Sequence, residues 1–329
     1  RAPGLPGNLA LQAVVERRFS ESGFTNGTLR FDTPVFVPGK TLIRLPDGLS
    51  HAVYPMHPSL VRPGNFVEPE FEASLIYIGR GQVEDLERVR GVELNGGIAV
   101  MEFDSGNRWQ DLLRHGIRGF IFLPSETYAH SEATAKVYNS EVAVPRFMAS
   151  DAAAVALRKQ FAAARSTPAT VVSEPSLWNL QDLGSPWVLV QGSDPETARD
   201  VLLITAPIDA SCVVPEMAYG GDTAGNLMML LDLLEAWRKQ PPRCSVLLVA
   251  VNAHTQGYLG ERLLAWHLLQ NQNDITVLRD GLALEMRQAS MYVDYYNKLR
   301  LEPVALAPDQ LSDAVRVLRA LEVQGHAAP

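Results

Sequence analysis

Val201-Leu202-Leu203-Ile204-Thr205, Val246-Leu247-Leu248-Val249-Ala250-Val251 and Gly281-Leu282-Ala283-Leu284 are short, uninterrupted apolar runs within the stretch from Asp200 to Met286. Runs of this length without polar alternation suit strands buried on both faces of a parallel sheet. Each run leaves into a polar cluster: Ala206-Pro207-Ile208-Asp209, Asn252-Ala253-His254-Thr255-Gln256-Gly257 and Glu285-Met286. Gly220-Gly221-Asp222-Thr223-Ala224-Gly225-Asn226 opens the helix expected after the first strand. Ligands of open α/β sheets bind outside the carboxyl ends of strands, so chemistry is expected at these exits.

At these residues the chain resembles the two-zinc exopeptidase family that includes glutamate carboxypeptidase and the transferrin receptor. The resemblance implies a frame of His-x-Asp after one strand, an Asp at the next helix start, Glu-Glu before a Gly-rich turn, and Asp-Met after a later strand. This chain keeps the frame and changes its residues. Pro207 stands at the first zinc-ligand His, while Asp209 keeps the supporting Asp and Asp222 the metal-bridging Asp. His254 stands at the Glu that acts as general base, Thr255 at the Glu that binds the second zinc, and Glu285 at a ligand Asp. The last ligand His of the family has no match before Pro329.

Proline offers a metal no lone pair, and a threonine hydroxyl is a poor ligand where zinc takes Cys, His and carboxylate. Hydrolysis in this family also needs a carboxylate to take the proton from metal-bound water, and none stands at position 254. The expectation is therefore a protein without metal or other cofactor that has lost peptidase chemistry, a pseudoenzyme rather than an enzyme. The alternative is an active metallopeptidase or amidohydrolase with an atypical one-metal site rebuilt from Asp209, Asp222, His254 and Glu285.

A second unit is expected near Glu72. Leu75-Ile76-Tyr77-Ile78-Gly79 reads as a strand, Val83 to Val89 as a short helix and Gly97 to Glu102 as a strand. Trp109, Leu112 and Leu113 make a helical stripe ended by Gly116, before the strand Gly119 to Leu123. This order, closed by Val144-Pro145-Arg146-Phe147-Met148, resembles the protease-associated domain inserted into the transferrin-receptor branch of the family. The fold expected is thus α/β, a doubly wound mixed sheet of the zinc exopeptidase type with an inserted protease-associated domain. The divisions are 1–71 and 151–329 for the peptidase-like domain, the latter truncated or excised, and 72–150 for the insert.

Around this frame, Leu11, Val14, Val15 and Phe19 have helical spacing with Asn8 as N-cap and Gly23 as the stop. Leu29 to His57, broken by Pro and Gly, reads as a strand hairpin. Asp151 to Ala164 is an Ala-rich helix capped by Ser150 or Asp151, and Trp187 to Gly192 the first strand of the main sheet. Further helices are expected over Gly225 to Arg238, Gly260 to Leu269 and Leu311 to Leu321, and Tyr292-Val293-Asp294-Tyr295-Tyr296 suits a strand, with a recognition surface as the alternative.

Composition bounds the function. With 47% hydrophobic and 20% charged residues the chain is globular, and a net charge of -8 with no Lys/Arg cluster argues against nucleic-acid binding. No apolar run approaches the ~20 residues that cross a bilayer. The chain starts at Arg1 rather than Met, as a processed chain or excised piece would, with flanking targeting or anchoring segments removed. Cys212 and Cys244 flank opposite ends of parallel strands, so no disulfide is expected, and Asn26-Gly27-Thr28 is a sequon read as background. His51, His57, His115 and His130 lack metal-ligand spacing.

The resemblance implies an extracytoplasmic location, whether periplasmic, extracellular or lumenal. It also implies a protein partner in a membrane-associated complex. The binding surface is expected on the insert or in the groove between it and the main sheet, with Trp109, Tyr128 and Tyr138 as candidates.

Overall fold

A computed structural model describes residues 1–59, 61–125, 130–137, 142–270, 290–293 and 299–302. Its contacts divide the chain into two compact units. One unit comprises Arg1–Thr33, Gln181–Ala210 and the described residues from Tyr219 onward, and the other Pro34–Leu180 with Ser211–Ala218.

The chain opens with helix α1 (Pro6–Glu21) and strand β1 (Thr25–Val37). Pro6 starts the helix where a missing N–H costs nothing. Asn8 is not the N-cap expected for it: it lies inside the first turn, fully buried, and its Oδ1 accepts the Gly4 N–H at 3.0 Å. The buried face is Asn8, Gln12, Val15 and Phe19, with Val14 at the surface. Its polar half is buried because it meets the polar groups of Asn252.

Strands β2 (Thr41–Arg44), β3 (Ser50–Pro55), β4 (Glu70–Gly79), β5 (Ile98–Glu102), β6 (Gly119–Leu123), β7 (Arg146–Ala149) and β8 (Ser166–Ser173) close a barrel. β4 through β7 pair in parallel, while β2, β3 and β8 close the ring by antiparallel pairing. The hairpin expected between Leu29 and His57 is β2 with β3. The helices α2 (Val83–Arg88), α3 (His130–Val137) and α4 (Asp151–Ala163) lie in the connections. Ser150 caps α4, its hydroxyl accepting the Ala153 N–H. Three of the seven strands lie outside 72–150.

Alternation along the strands separates two apolar clusters. One draws Ile43, Val53, Leu75, Val100, Ile121, Phe147 and Val171 from all seven strands and is the barrel interior, closed by Ala153 and Leu157 of α4. The other takes Ile76, Ala99, Phe120, Phe122 and Met148 from the parallel strands and covers them with Trp109 and Leu112. α4 is also fastened by charge. The carboxylate of Glu102, buried at the end of β5, receives both Arg158 terminal nitrogens at 2.7 Å and the Tyr77 hydroxyl at 2.6 Å. Burial, and then the Glu102 hydrogen bond, push the Tyr77 phenol up to about 12.

Strand β9 (Leu177–Val190) returns the chain to the first unit. There β10 (Val201–Pro207), helix α5 (Gly221–Lys239), β11 (Ser245–Val251) and helix α6 (Leu259–Gln270) complete a sheet of order β1-β9-β11-β10. β10 and β11 run parallel and β9 antiparallel to β11, so the sheet is mixed. Every residue of β11 is buried, whereas β10, an equally apolar run expected to be buried on both faces, is mostly half-buried. Val188, Val190, Val246 and Leu248 pack against Leu227, Leu230 and Leu234 of α5 and Val15 and Phe19 of α1. The alternate residues Leu189, Leu247, Val249 and Val251 pack with Leu264 of α6. Helices thus cover both faces. Two short strands, β12 (Ser290–Val293) and β13 (Leu299–Glu302), pair antiparallel. The expected strand at 281–284 and helix at 311–321 lie outside the described residues.

Replacing Arg158 by Met leaves the Glu102 carboxylate buried with the Tyr77 hydroxyl as its remaining partner. Because Arg158 is itself half exposed, the expected loss is about 1–3 kcal/mol. Urea unfolding should show it, and a second change of Glu102 to Gln should recover part of it.

Candidate functional site

β10 and β11 end side by side, with Pro207 in register with Val251 and the Ile208 N–H donating to the Val251 carbonyl at 2.8 Å. Two residues past β10 lies Asp209, with no exposed surface. Its Oδ1 accepts the His254 backbone N–H at 3.0 Å, and its Oδ2 accepts the Thr255 N–H at 2.8 Å and the Thr255 hydroxyl at 2.6 Å. A buried carboxylate needs such partners, and here the loop after β11 supplies them.

That loop is tightly wound. Ala253 (φ 57°), Gly257 (φ 67°) and Tyr258 (φ 58°) occupy the left-handed region, which non-glycine residues enter at a cost of about 1–3 kcal/mol. Gly260 lies so close to the Asn252 carbonyl that a Cβ there would stand 2.1 Å from the oxygen. Asn252 is fully buried: its Oδ1 accepts from Asn8 Nδ2 at 3.0 Å, its Nδ2 donates to Gln12 Oε1 at 3.1 Å, and its backbone N–H donates to Ser185 Oγ at 3.0 Å. This accounts for the polar half of the buried face of α1.

The loop aims the half-buried His254 ring at α6. His254 Nδ1 hydrogen-bonds Glu261 Oε1 in the first turn of that helix, and the ring meets Tyr258 edge-on with centroids 4.7 Å apart. The hydrogen bond to Glu261 raises the His254 pKa; burial opposes the rise, and the charges of Glu261 and Asp209 add to it. Glu261 Oε2 is buried without a hydrogen-bond partner. Glu261 was not among the residues singled out from the sequence. The signal was slight, an acid in the first turn of a helix seven positions after the histidine.

Asp209, His254 and Thr255 are therefore brought together, and Pro207 stands at the strand end beside them. Asp222 is in the first turn of α5, and Glu285 lies outside the described residues. Among the described residues the donors do not fit a pair of zinc ions. The Pro207 side chain has no lone pair, both Asp209 oxygens accept hydrogen bonds from the loop, and the Thr255 hydroxyl gives its proton to Asp209. Among the described residues, no group of three or more His, Cys, Asp or Glu side chains could hold a metal ion.

The candidates for a binding surface fare differently. Trp109 is fully buried, stacked edge-on against Phe120 and lying 5.3 Å from the Arg146 guanidinium, with Nε1 donating to the Ala135 carbonyl at 3.1 Å. Its helical stripe faces the core, so it offers no surface, contrary to expectation. Tyr128 and Tyr138 lie outside the described residues. Both cysteines are free, as expected.

No protein-family model matches the chain, and no curated protein matches it. Solved structures do. BSAP, a zinc aminopeptidase from Bacillus subtilis, is similar over 82% of this chain and 61% of its own, with 15% identity and a TM-score of 0.53. The Peptidase M28 precursor from Shewanella amazonensis SB2B is similar over 82% of this chain and 64% of its own, with 15% identity and a TM-score of 0.52. The chain has the mixed α/β fold of the zinc aminopeptidases and spans less than two thirds of the length of either. This overturns the expectation that the protein is not an enzyme. Of these two similar structures, one is a zinc aminopeptidase and the other a peptidase precursor.

Two outcomes follow from the loop. The His254 imidazole should titrate above the ordinary value of about 6.5, and E261Q should lower its midpoint, as read by NMR. Because the folded pKa is raised, the histidine's contribution to stability is fully present below its unfolded value of about 6.5 and is lost as pH rises through the folded value. Asp209→Ala strands the His254 and Thr255 amides. It should cost about 2–5 kcal/mol in urea unfolding, and Asp209→Asn, which keeps one acceptor, less.

Proposed function

We infer that this chain is an extracytoplasmic, peptidase-like protein that recognises polypeptide at the carboxyl edge of its main sheet, as part of a membrane-associated assembly with a protein partner. The observation that carries the reading is the likeness of its fold to zinc aminopeptidases, proteins whose name implies recognition of a polypeptide end. Tyr219, at the helix start beside the site, adds support: it is 77% exposed, and tyrosine is enriched at interfaces. The resemblance of the 72–150 stretch to a protease-associated domain supports the extracytoplasmic setting. No described helix is long and apolar enough to cross a membrane, so an assembly at a membrane would hold this part of the chain through other contacts.

A second reading, hydrolysis of an amide bond at the same edge, is favoured by the His254–Glu261 pair. With Nδ1 committed to Glu261, Nε2 is the ring atom left to take a proton from water attacking a carbonyl and return it to the leaving amine. Glu261 would hold the ring and its tautomer.

A photo-crosslinking residue at position 219, in the native host, should capture a polypeptide. The same residue at exposed Lys239, on the far end of α5, should not. Equal capture at both positions would overturn the recognition site. Incubation with free and N-acetylated peptides, followed by mass spectrometry, tests the second reading. Turnover should fall at least 100-fold in H254Q and follow the His254 titration, and absence of turnover in the wild type rejects it.

A further inference from the structure

A groove of about 490 Å³ runs along α4 in the barrel unit, opposite the β2–β3 hairpin. Its floor and walls include Asp47, Leu49 and His51 of the hairpin and Asp151, Val155 and Lys159 of α4. Three features set it apart. Leu49 is 60% and Val155 70% exposed, so two large apolar side chains face the same groove uncovered. His51 Nε2 is buried and has no hydrogen-bond partner, which is uncommon for a polar atom out of reach of water. Asp151, Val155 and Lys159 recur every four residues and so form one row along the helix: acid, apolar, base. Among the described residues neither Asp151 nor Lys159 has an ion-pair partner.

The row has a length. Eight residues of helix rise about 12 Å from Asp151 to Lys159. Four residues of extended peptide span about 13 Å. A free peptide of about four residues carries an ammonium at one end, a carboxylate at the other and side chains between, and this is the pattern complementary to the row. We propose that the groove between α4 and the β2–β3 hairpin binds short free peptides. The α-ammonium meets Asp151, with Asp47 adding to the negative potential of the groove; an apolar side chain lies between Leu49 and Val155; and the α-carboxylate meets Lys159. His51 lines the groove and reports its occupancy. The proposal rests on reading polypeptide as what the protein recognises, and places a second, separate site for it within the barrel unit.

The probe is the tetrapeptide Ala-Leu-Ala-Leu, free, N-acetylated, C-amidated or blocked at both ends, titrated into the full chain while the His51 and His254 imidazole signals are followed by NMR. The free peptide should shift His51 and bind at least threefold more tightly than either singly blocked form. K159Q should bind the free and C-amidated peptides equally while still discriminating against the acetylated one. V155D, a surface change whose unfolding midpoint should match the wild type, should lose binding at least tenfold. Equal binding of the free and doubly blocked peptides, undiminished binding by V155D, or no His51 shift at millimolar peptide each overturns the groove. A shift of His254 without His51 overturns it while leaving polypeptide recognition at the sheet edge intact. Recognition at the sheet edge is tested separately, by the crosslinking at position 219.

Discussion

The Asp209 carboxylate is a full charge with no exposed surface, and its position in the fold depends on three donors from a single loop. Desolvating such a group costs several kcal/mol unless hydrogen bonds replace the lost water. The loop after β11 must therefore turn its amides inward. Doing so drives Ala253 and Tyr258 into the left-handed region and brings Gly260 against the Asn252 carbonyl. The geometry of His254, and its meeting with Glu261, follow from that turn. Asp209 thus acts as the internal anchor of a loop.

The same constraint explains why α1 is amphipathic in an unexpected way. Asn252 is buried with both ends of its amide engaged, and Gln12 Oε1 also accepts the Gly184 N–H at 2.9 Å. A helix presenting only leucines and valines would leave these groups unpaired, at about 1–3 kcal/mol each. The Asn8–Gln12 half of the buried face satisfies the loop, and the Val15–Phe19 half packs on the sheet. The polar edge and the apolar core are thus joined through one helix.

In the barrel unit, chemistry and packing divide differently. Alternation gives each strand an interior and an outer face, and α4 serves the interior with Ala153 and Leu157 while Arg158 reaches the buried Glu102. The next residue of that helix, Lys159, faces outward into the groove. Because 3.6 residues make a turn, one helix can close a barrel, neutralise a buried acid and present a charged row to solvent.

Much was legible in the sequence. Continuous apolar runs marked β5, β6, β10 and β11, and the Ser150 cap and Gly116 stop marked helix ends, because each depends on neighbours a few residues away. What the sequence could not decide was which distant groups would meet. Asn8 read as a cap and proved a partner of a residue 244 positions away. Trp109 read as a surface candidate and proved the cover of a sheet. Glu261 carried only a slight signal until the turn at 253–258 brought it to His254. Local propensity is written in spacing, whereas burial and pairing of polar groups depend on contacts that exist only once the chain has folded.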